Sequence, residues 1–239
     1  MPTDLPHFYH VDAAPGARCT LAQDDARHAG KALRLKNGDP VNVTDGHGHV
    51  FLAEIHFTDR HEAELHVGMP SDHASPGSPL SLAIAPTKNA DRLEWCIEKA
   101  VELGVTEIWL LHCDHSEKTG ARIERLDRLA LAALKQSRGT HLPVIRGPKS
   151  VEAVLRESDA THRFIAHCSS HRERKDREAL TSATGKVLVL IGPEGDFSLR
   201  EIDRAEELGA AGISLGPRRL RTETAAMAVA AIFGLLSNT

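Results

Sequence analysis

Val187-Leu188-Val189-Leu190-Ile191-Gly192-Pro193-Glu194-Gly195-Asp196-Phe197-Ser198-Leu199-Arg200-Glu201 is the stretch on which the fold turns. Five apolar residues running into a Gly-Pro turn read as a strand. Ser198 and Glu201 have the spacing of a capping box, so a helix opens there and runs to about residue 208. Toward the C-terminus, a short strand at 212–215 leads through a loop to a last helix at 222–236, with Thr222 as its N-cap. Toward the N-terminus, strands are expected at 163–167, 107–112 and 80–85. Between them lie a helix at 122–136, with Leu126, Leu129, Ala130, Ala133 and Leu134 inward, and a helix at 91–103. The latter carries Leu93, Ile97, Ala100 and Val101 on one face. Alternating strands and helices predict an α/β domain with a mainly parallel sheet.

Upstream the rhythm differs. Residues 71–79, in a Pro-, Gly- and Ser-rich segment, read as a linker between a domain at 1–70 and one at 80–239. Short strands at 41–44, 50–55 and 63–67 are separated by Asn37-Gly38-Asp39 and Asp45-Gly46-His47-Gly48. With one helix near 22–33 they suggest a small β-barrel.

The chain has 239 residues, of which 41% are apolar and 26% charged, a globular rather than disordered composition. No apolar run reaches the roughly 18 residues of a membrane span and no signal-like segment follows Met1, so a soluble, unexported protein is expected. Cys19, Cys96, Cys113 and Cys168 form no CxxC pair, which argues against a zinc ribbon or disulfide framework and for a reducing cytoplasm. Residues 1–72 carry 6 Lys+Arg against 11 Asp+Glu, and the remainder 23 against 22. Bulk charge therefore gives no support to nucleic-acid binding. Local basic clusters remain: Lys31, Arg34 and Lys36; Arg218, Arg219 and Arg221; and Arg172, Arg174, Lys175 and Arg177. The last is interrupted by Glu173 and Asp176 and reads as a solvated loop. Fifteen histidines carry no motif.

In open parallel sheets ligands gather at the carboxyl ends of strands. Three such ends stand out: 165–168, 190–197 and 214–226. Their glycines let backbone amides approach a ligand, and the helices that follow the last two offer free N–H donors. Neither Gly-Pro loop matches GxGxxG or GxxxxGK[ST]. Two Gly-Pro loops at neighbouring strand ends, each opening a helix and carrying charge, mark a ligand site whose ligand the residues leave open. His112-Cys113-Asp114-His115 and His167-Cys168 with His171 could together suggest a metal. Neighbouring side chains on a strand face opposite ways, however, so core cysteines beside exposed histidines are the reading, with no metal expected.

Ile191-Gly192-Pro193-Glu194-Gly195, followed by Leu215-Gly216-Pro217-Arg218-Arg219-Leu220-Arg221-Thr222-Glu223-Thr224-Ala225, closely resembles the bacterial 16S ribosomal RNA (uracil-N3)-methyltransferase family of the SPOUT class. Glu98-Lys99-Ala100-Val101-Glu102-Leu103-Gly104-Val105 resembles the family's helix after the first strand of the methyltransferase domain. Leu33-Arg34-Leu35, Gly38-Asp39 and Asp45-Gly46 resemble its N-terminal PUA-like barrel. The resemblance implies a SPOUT-type parallel sheet with a C-terminal trefoil knot, a feature no periodicity would predict. It departs from the family pattern at Asp196, where a second Gly is common, at 87–92, which is longer than Lys-Gly-Asp-Arg, and at 136–139.

The resemblance further implies S-adenosylmethionine as cofactor and methyl transfer to N3 of a uridine in 16S ribosomal RNA of the small ribosomal subunit. That nitrogen is a poor nucleophile until deprotonated, and the charge then spreads onto the flanking carbonyl oxygens. Arg221 is the expected cation for that charge. Glu194 and Glu223 are the carboxylates at hand; Glu223, in a first helical turn, is given an orienting role, and Glu194 is left open. Ala166, His167, Gly192, Gly195, Leu215, Gly216, Leu220 and Thr224 are the expected cofactor contacts, and Lys31, Arg34 and Lys36 the expected RNA contacts. A homodimer is implied too. Ala225, Ala226, Val229, Ala230 and Phe233 would supply its contact or pack within one subunit. Two other readings are a SPOUT enzyme acting on another RNA atom and a non-catalytic ribosome-assembly factor, the latter distinguished by lack of cofactor affinity.

Overall fold

A computed structural model describes residues 5–59, 61–71, 79–117, 121–170 and 172–236. Residues 72–78, most of the expected linker, and His171 lie outside the described residues. Contacts divide the chain into two units: Met1–Ser75 with Leu134–Leu142, and Pro76–Ala133 with Pro143–Thr239.

The first unit is the PUA-like one. It contains β1 (His7–Tyr9), β2 (Arg18–Thr20), α1 (Gln23–Arg27) continued by a π-helical turn at His28–Ala32, β3 (Pro40–Thr44), β4 (Val50–Asp59) and β5 (Glu62–Pro70). The strands form one curled sheet in the order β1-β3-β4-β5-β2. Alternation along β3, β4 and β5 turns Val41, Val43, Ala53, Ile55, Ala63, Leu65 and Val67 into its core. β1 and β2, three residues each, are too short to show a period and were not expected from the sequence. Residues 134–142 join this unit through the Asp45–His49 loop: Leu142 N donates to Gly46 O (2.8 Å) and Gly48 N to Thr140 O (2.9 Å). Gly48 is required there, since its φ is +103° and a Cβ would stand 2.6 Å from the His141 ring.

The second unit is a parallel sheet in the order β11-β9-β10-β6-β7-β8. In chain order it comprises β6 (Leu80–Ile84), α2 (Ala90–Glu102), β7 (Glu107–Leu111), α3 (Ile123–Ser137) except its last turn, β8 (Val144–Lys149), α4 (Val151–Glu157), β9 (His162–Ala166), α5 (Glu178–Thr181), β10 (Val187–Ile191), α6 (Leu199–Glu207), β11 (Ala211–Ile213) and α7 (Thr222–Leu236). Every residue of β6 and β10 is buried, as central parallel strands require. Ala83, Trp109, Ile165, Leu188 and Leu190 pack with Val154 and Leu155 of α4 and Ile202 and Ala205 of α6. α7 packs against α2, β6 and β10. The capping box of α6 is complete, with the Ser198 side chain accepting from Glu201 N and the Glu201 carboxylate from Ser198 N. β8 escaped the sequence pattern because Gly147-Pro148 interrupts an edge strand, and α4 because its seven residues are too few to establish a helical period.

β11 is bonded to β9 on one side, while Lys175, in the connection from β9 to β10, bridges its other side. Lys175 N donates to Gly212 O (2.8 Å) and Ser214 N to Lys175 O (2.9 Å). That connection therefore passes outside β11. α6, before β11, packs with α4, and α7, after it, packs with α2 and α5. Right-handed crossovers place these two helix sets on opposite faces of the sheet. The chain thus crosses from one face to the other inside the β9–β10 connection, which is the trefoil knot. Residues 172–177, read as a merely solvated loop, are the clasp of this crossing, a role set by backbone pairing rather than by charge.

Candidate functional site

The carboxyl ends of β9, β10 and β11 enclose a cleft of about 730 Å³. Its walls are drawn from residues 166–170, 191–196 and 213–222, with Arg92, Arg174 and Ala225 completing them. The two Gly-Pro loops do not leave adjacent strands, as the sequence led us to expect. The β10-to-β11 crossover skips β9, so the β9 loop lies between them and forms a third lip.

Cross-loop hydrogen bonds set this geometry. Thr222, expected to cap α7, is instead its first residue, and its hydroxyl donates to Gly192 O at 2.9 Å, tying the third loop to the second. The Asp196 carboxylate accepts from Cys168 N at 2.8 Å, joining the second loop to the first. Arg174 Nη1 donates to His167 O at 2.9 Å. Phe197 is buried beneath the β10 loop, where its ring would lie 3.0 Å from a Cβ at position 192. A small residue is needed at Gly192 for that reason. Gly216, at φ +120°, takes a conformation L side chains rarely adopt.

Of the expected cofactor contacts, Ala166, His167, Gly192, Gly195, Leu215, Gly216 and Leu220 line the cleft; Thr224 is exposed and does not. His167 is buried with both ring nitrogens unpartnered among the described residues, and burial holds its pKa below the usual histidine value, so the ring is neutral at pH 7. Arg221 and Glu194 line the cleft and are exposed. Glu223 does not line it. It is buried behind, its Oε2 without a hydrogen-bond partner among the described residues, close enough to α2 that its charge adds to burial in pushing the Cys96 thiol up to about 12.

Arg92 is the residue missed by sequence reading. Its Nη1 lies 3.8 Å from Glu194 Oε1 and 3.6 Å from Glu223 Oε1, a cation held between the two glutamates. A signal existed in the Thr87–Arg92 departure. Asn89 caps α2 by accepting from Asp91 N, and this sets Arg92 in the first turn, where it reaches the cleft. Among the described residues no group of three or more His, Cys, Asp or Glu is placed to hold a metal ion. No helix of the described residues is long and apolar enough to cross a membrane.

In the first unit Lys31, Arg34 and Lys36 are all exposed within six residues, and none forms an ion pair among the described residues. Arg34 has φ +57° and stands just after the π-helical turn that carries Lys31.

Comparison with known proteins agrees with this arrangement. Residues 74–234 match the RNA methyltransferase domain family, and residues 21–67 match the RNA methyltransferase PUA domain. A ribosomal RNA small subunit methyltransferase E from Mesomycoplasma hyopneumoniae is 35% identical over 62% of this chain, and the match spans 65% of that relative, just under two thirds of its length. The crystal structure of a probable rRNA-methyltransferase from Porphyromonas gingivalis is 38% identical, with a TM-score of 0.86 over 98% of this chain and 99% of that one. A ribosomal RNA small subunit methyltransferase E from Neisseria gonorrhoeae, bound to S-adenosyl methionine, is 25% identical with a TM-score of 0.77, covering 95% of this chain and 96% of that one. With the matched methyltransferase domain spanning well over half its length, this chain belongs to the RNA methyltransferase family.

Proposed function

We propose that this protein transfers a methyl group from S-adenosylmethionine to N3 of a uridine in 16S ribosomal RNA of the small ribosomal subunit. The observation that carries the reading is the cleft at three strand ends, closed by the threaded chain and bordered by Arg221, Arg92 and Glu194. The cofactor fits what is there. A cleft of about 730 Å³ is within the range of small-molecule sites. The unpartnered nitrogens of neutral His167 and the backbone of the two Gly-Pro loops offer hydrogen-bonding groups without a large opposing charge. Ala166, His167, Gly192, Gly195, Leu215, Gly216 and Leu220 would hold it. When bound, it supplies an electrophilic methyl group on a positively charged sulfur.

The remaining work falls to side chains of this chain. Arg221, immediately before α7, stabilises the negative charge that grows on the uracil carbonyl oxygens as N3 loses its proton. Glu194 is the accessible carboxylate and takes that proton. Arg92 keeps Glu194 at the cleft and, through the buried Glu223, anchors that end of α7 to α2.

Lys31, Arg34 and Lys36 would meet RNA phosphates. Replacing Arg34 by alanine should weaken RNA binding and lower the slope of log K against log salt by about 0.7–0.9. Fluorescence titration over a salt series reads this, and an unchanged slope removes Arg34 from the interface. Acting on ribosomal RNA, the enzyme would work in the cytoplasm. It would act as a homodimer. All five α7 residues named for that contact, from Ala225 to Phe233, are buried within one chain, so the interface draws on other surface, such as half-exposed Trp95 of α2.

The reading is tested by incubating the protein with labelled S-adenosylmethionine and small ribosomal subunits, then identifying the nucleoside by mass spectrometry. The expected product is 3-methyluridine in 16S ribosomal RNA. A ribose-methylated nucleoside, or label on no nucleoside, would overturn the reading.

A further inference from the structure

Asp196 is one of the three non-glycine residues with positive φ among the described residues, at +66°, a conformation that favours glycine. It stands in the cleft wall, and all its polar contacts run between loops or along its own turn. Oδ2 accepts from Cys168 N at 2.8 Å, in the loop after β9. Oδ1 accepts from Phe197 N at 2.9 Å. Its carbonyl oxygen lies 3.0 Å from His115 Nδ1, in the loop after β7. One residue therefore links three strand ends. A side chain kept at a strained φ needs a compensating interaction. A carboxylate accepting backbone N–H groups gives the strong, charge-assisted kind.

We infer that Asp196 is a positioning residue that locks the loop after β9 onto the loop after β10, so that the cofactor cleft is formed before the cofactor arrives. This rests on the cofactor proposed above. With Thr222 tying the third loop to the second, Asp196 supplies the other tie, and all three lips are then held in one register. Ordering these loops in advance removes an entropic cost from binding. The inference also assigns the Cys168 amide: it is occupied by Asp196 and is not a donor to the cofactor.

Two variants separate this role from a merely structural one. D196G relieves the positive φ while deleting the acceptor; D196N keeps one acceptor oxygen and a side chain that tolerates the left-handed region. Calorimetry with S-adenosylmethionine should show D196G binding about tenfold more weakly and D196N recovering most of the loss. Turnover at saturating cofactor should stay within about twofold, so the effect falls on KM. Amide hydrogen exchange at Cys168, measured without cofactor, should be fast in D196G and slow in wild type. Cofactor affinity unchanged in D196G, or a Cys168 amide equally protected in wild type and D196G, would overturn the clamp. Should D196G not fold, D196A, which also deletes the acceptor, decides by the same two readings: weaker affinity with a fast-exchanging Cys168 amide supports the clamp, and either one unchanged overturns it. If the wild type binds no S-adenosylmethionine, the cofactor assignment fails, and Cys168 exchange then decides the clamp by itself.

Discussion

Replacing Arg221 with alanine should lower the single-turnover rate of methyl transfer by about 10²–10³-fold while leaving the dissociation constant for S-adenosylmethionine nearly unchanged. Ionising N3 of a uracil puts charge on carbonyl oxygens, and a guanidinium at the cleft rim meets that charge more strongly in the transition state than in the ground state. Arg221 is suited to this because it lines the cleft yet is exposed, with a planar fork available to an incoming base. Arg92 cannot substitute, being engaged by Glu194 and Glu223. Rapid-quench turnover paired with calorimetry separates the alternatives. A parallel loss of rate and cofactor affinity would make Arg221 a cofactor-binding residue instead. R221K should recover only part of the rate, since an ammonium offers a point charge without the fork.

Gly212→Ala should destabilise the second unit by about 2–3 kcal/mol and abolish cofactor binding. Gly212 is the middle residue of β11, the strand that passes inside the β9–β10 connection. A Cβ there would stand 2.6 Å from the Glu173 carbonyl oxygen and 2.8 Å from His167 Nε2. The first of these is backbone of the loop clasping β11, which cannot yield without losing the Lys175 bridge on the strand's outer edge. The second is a buried ring lining the cleft, so the same methyl group disturbs both knot and site. Urea unfolding with an unchanged m-value, together with calorimetry, measures both effects. A variant of wild-type stability that still binds S-adenosylmethionine would show that the clasp is slack.

The sequence by itself determined the central strands of the second unit and helices α2, α3, α6 and α7, though not β8, α4 or α5, because buried central strands must be apolar throughout and their covering helices must carry one apolar face. It likewise determined the α6 capping box and brought out the two Gly-Pro loops, which both line the cleft, since those depend on residues a few positions apart. Only the tertiary structure decided the rest. That β9 separates β10 from β11, that 172–177 clasps β11, that residues 134–142 complete the first unit and that Arg92 sits between Glu194 and Glu223 all depend on partners dozens of residues away. Local periodicity contains no term for such pairings. Glu223 shows the difference in one residue: helix spacing places it correctly in the first turn of α7, yet whether it faces the cleft or the α2 side was set by how two helices pack.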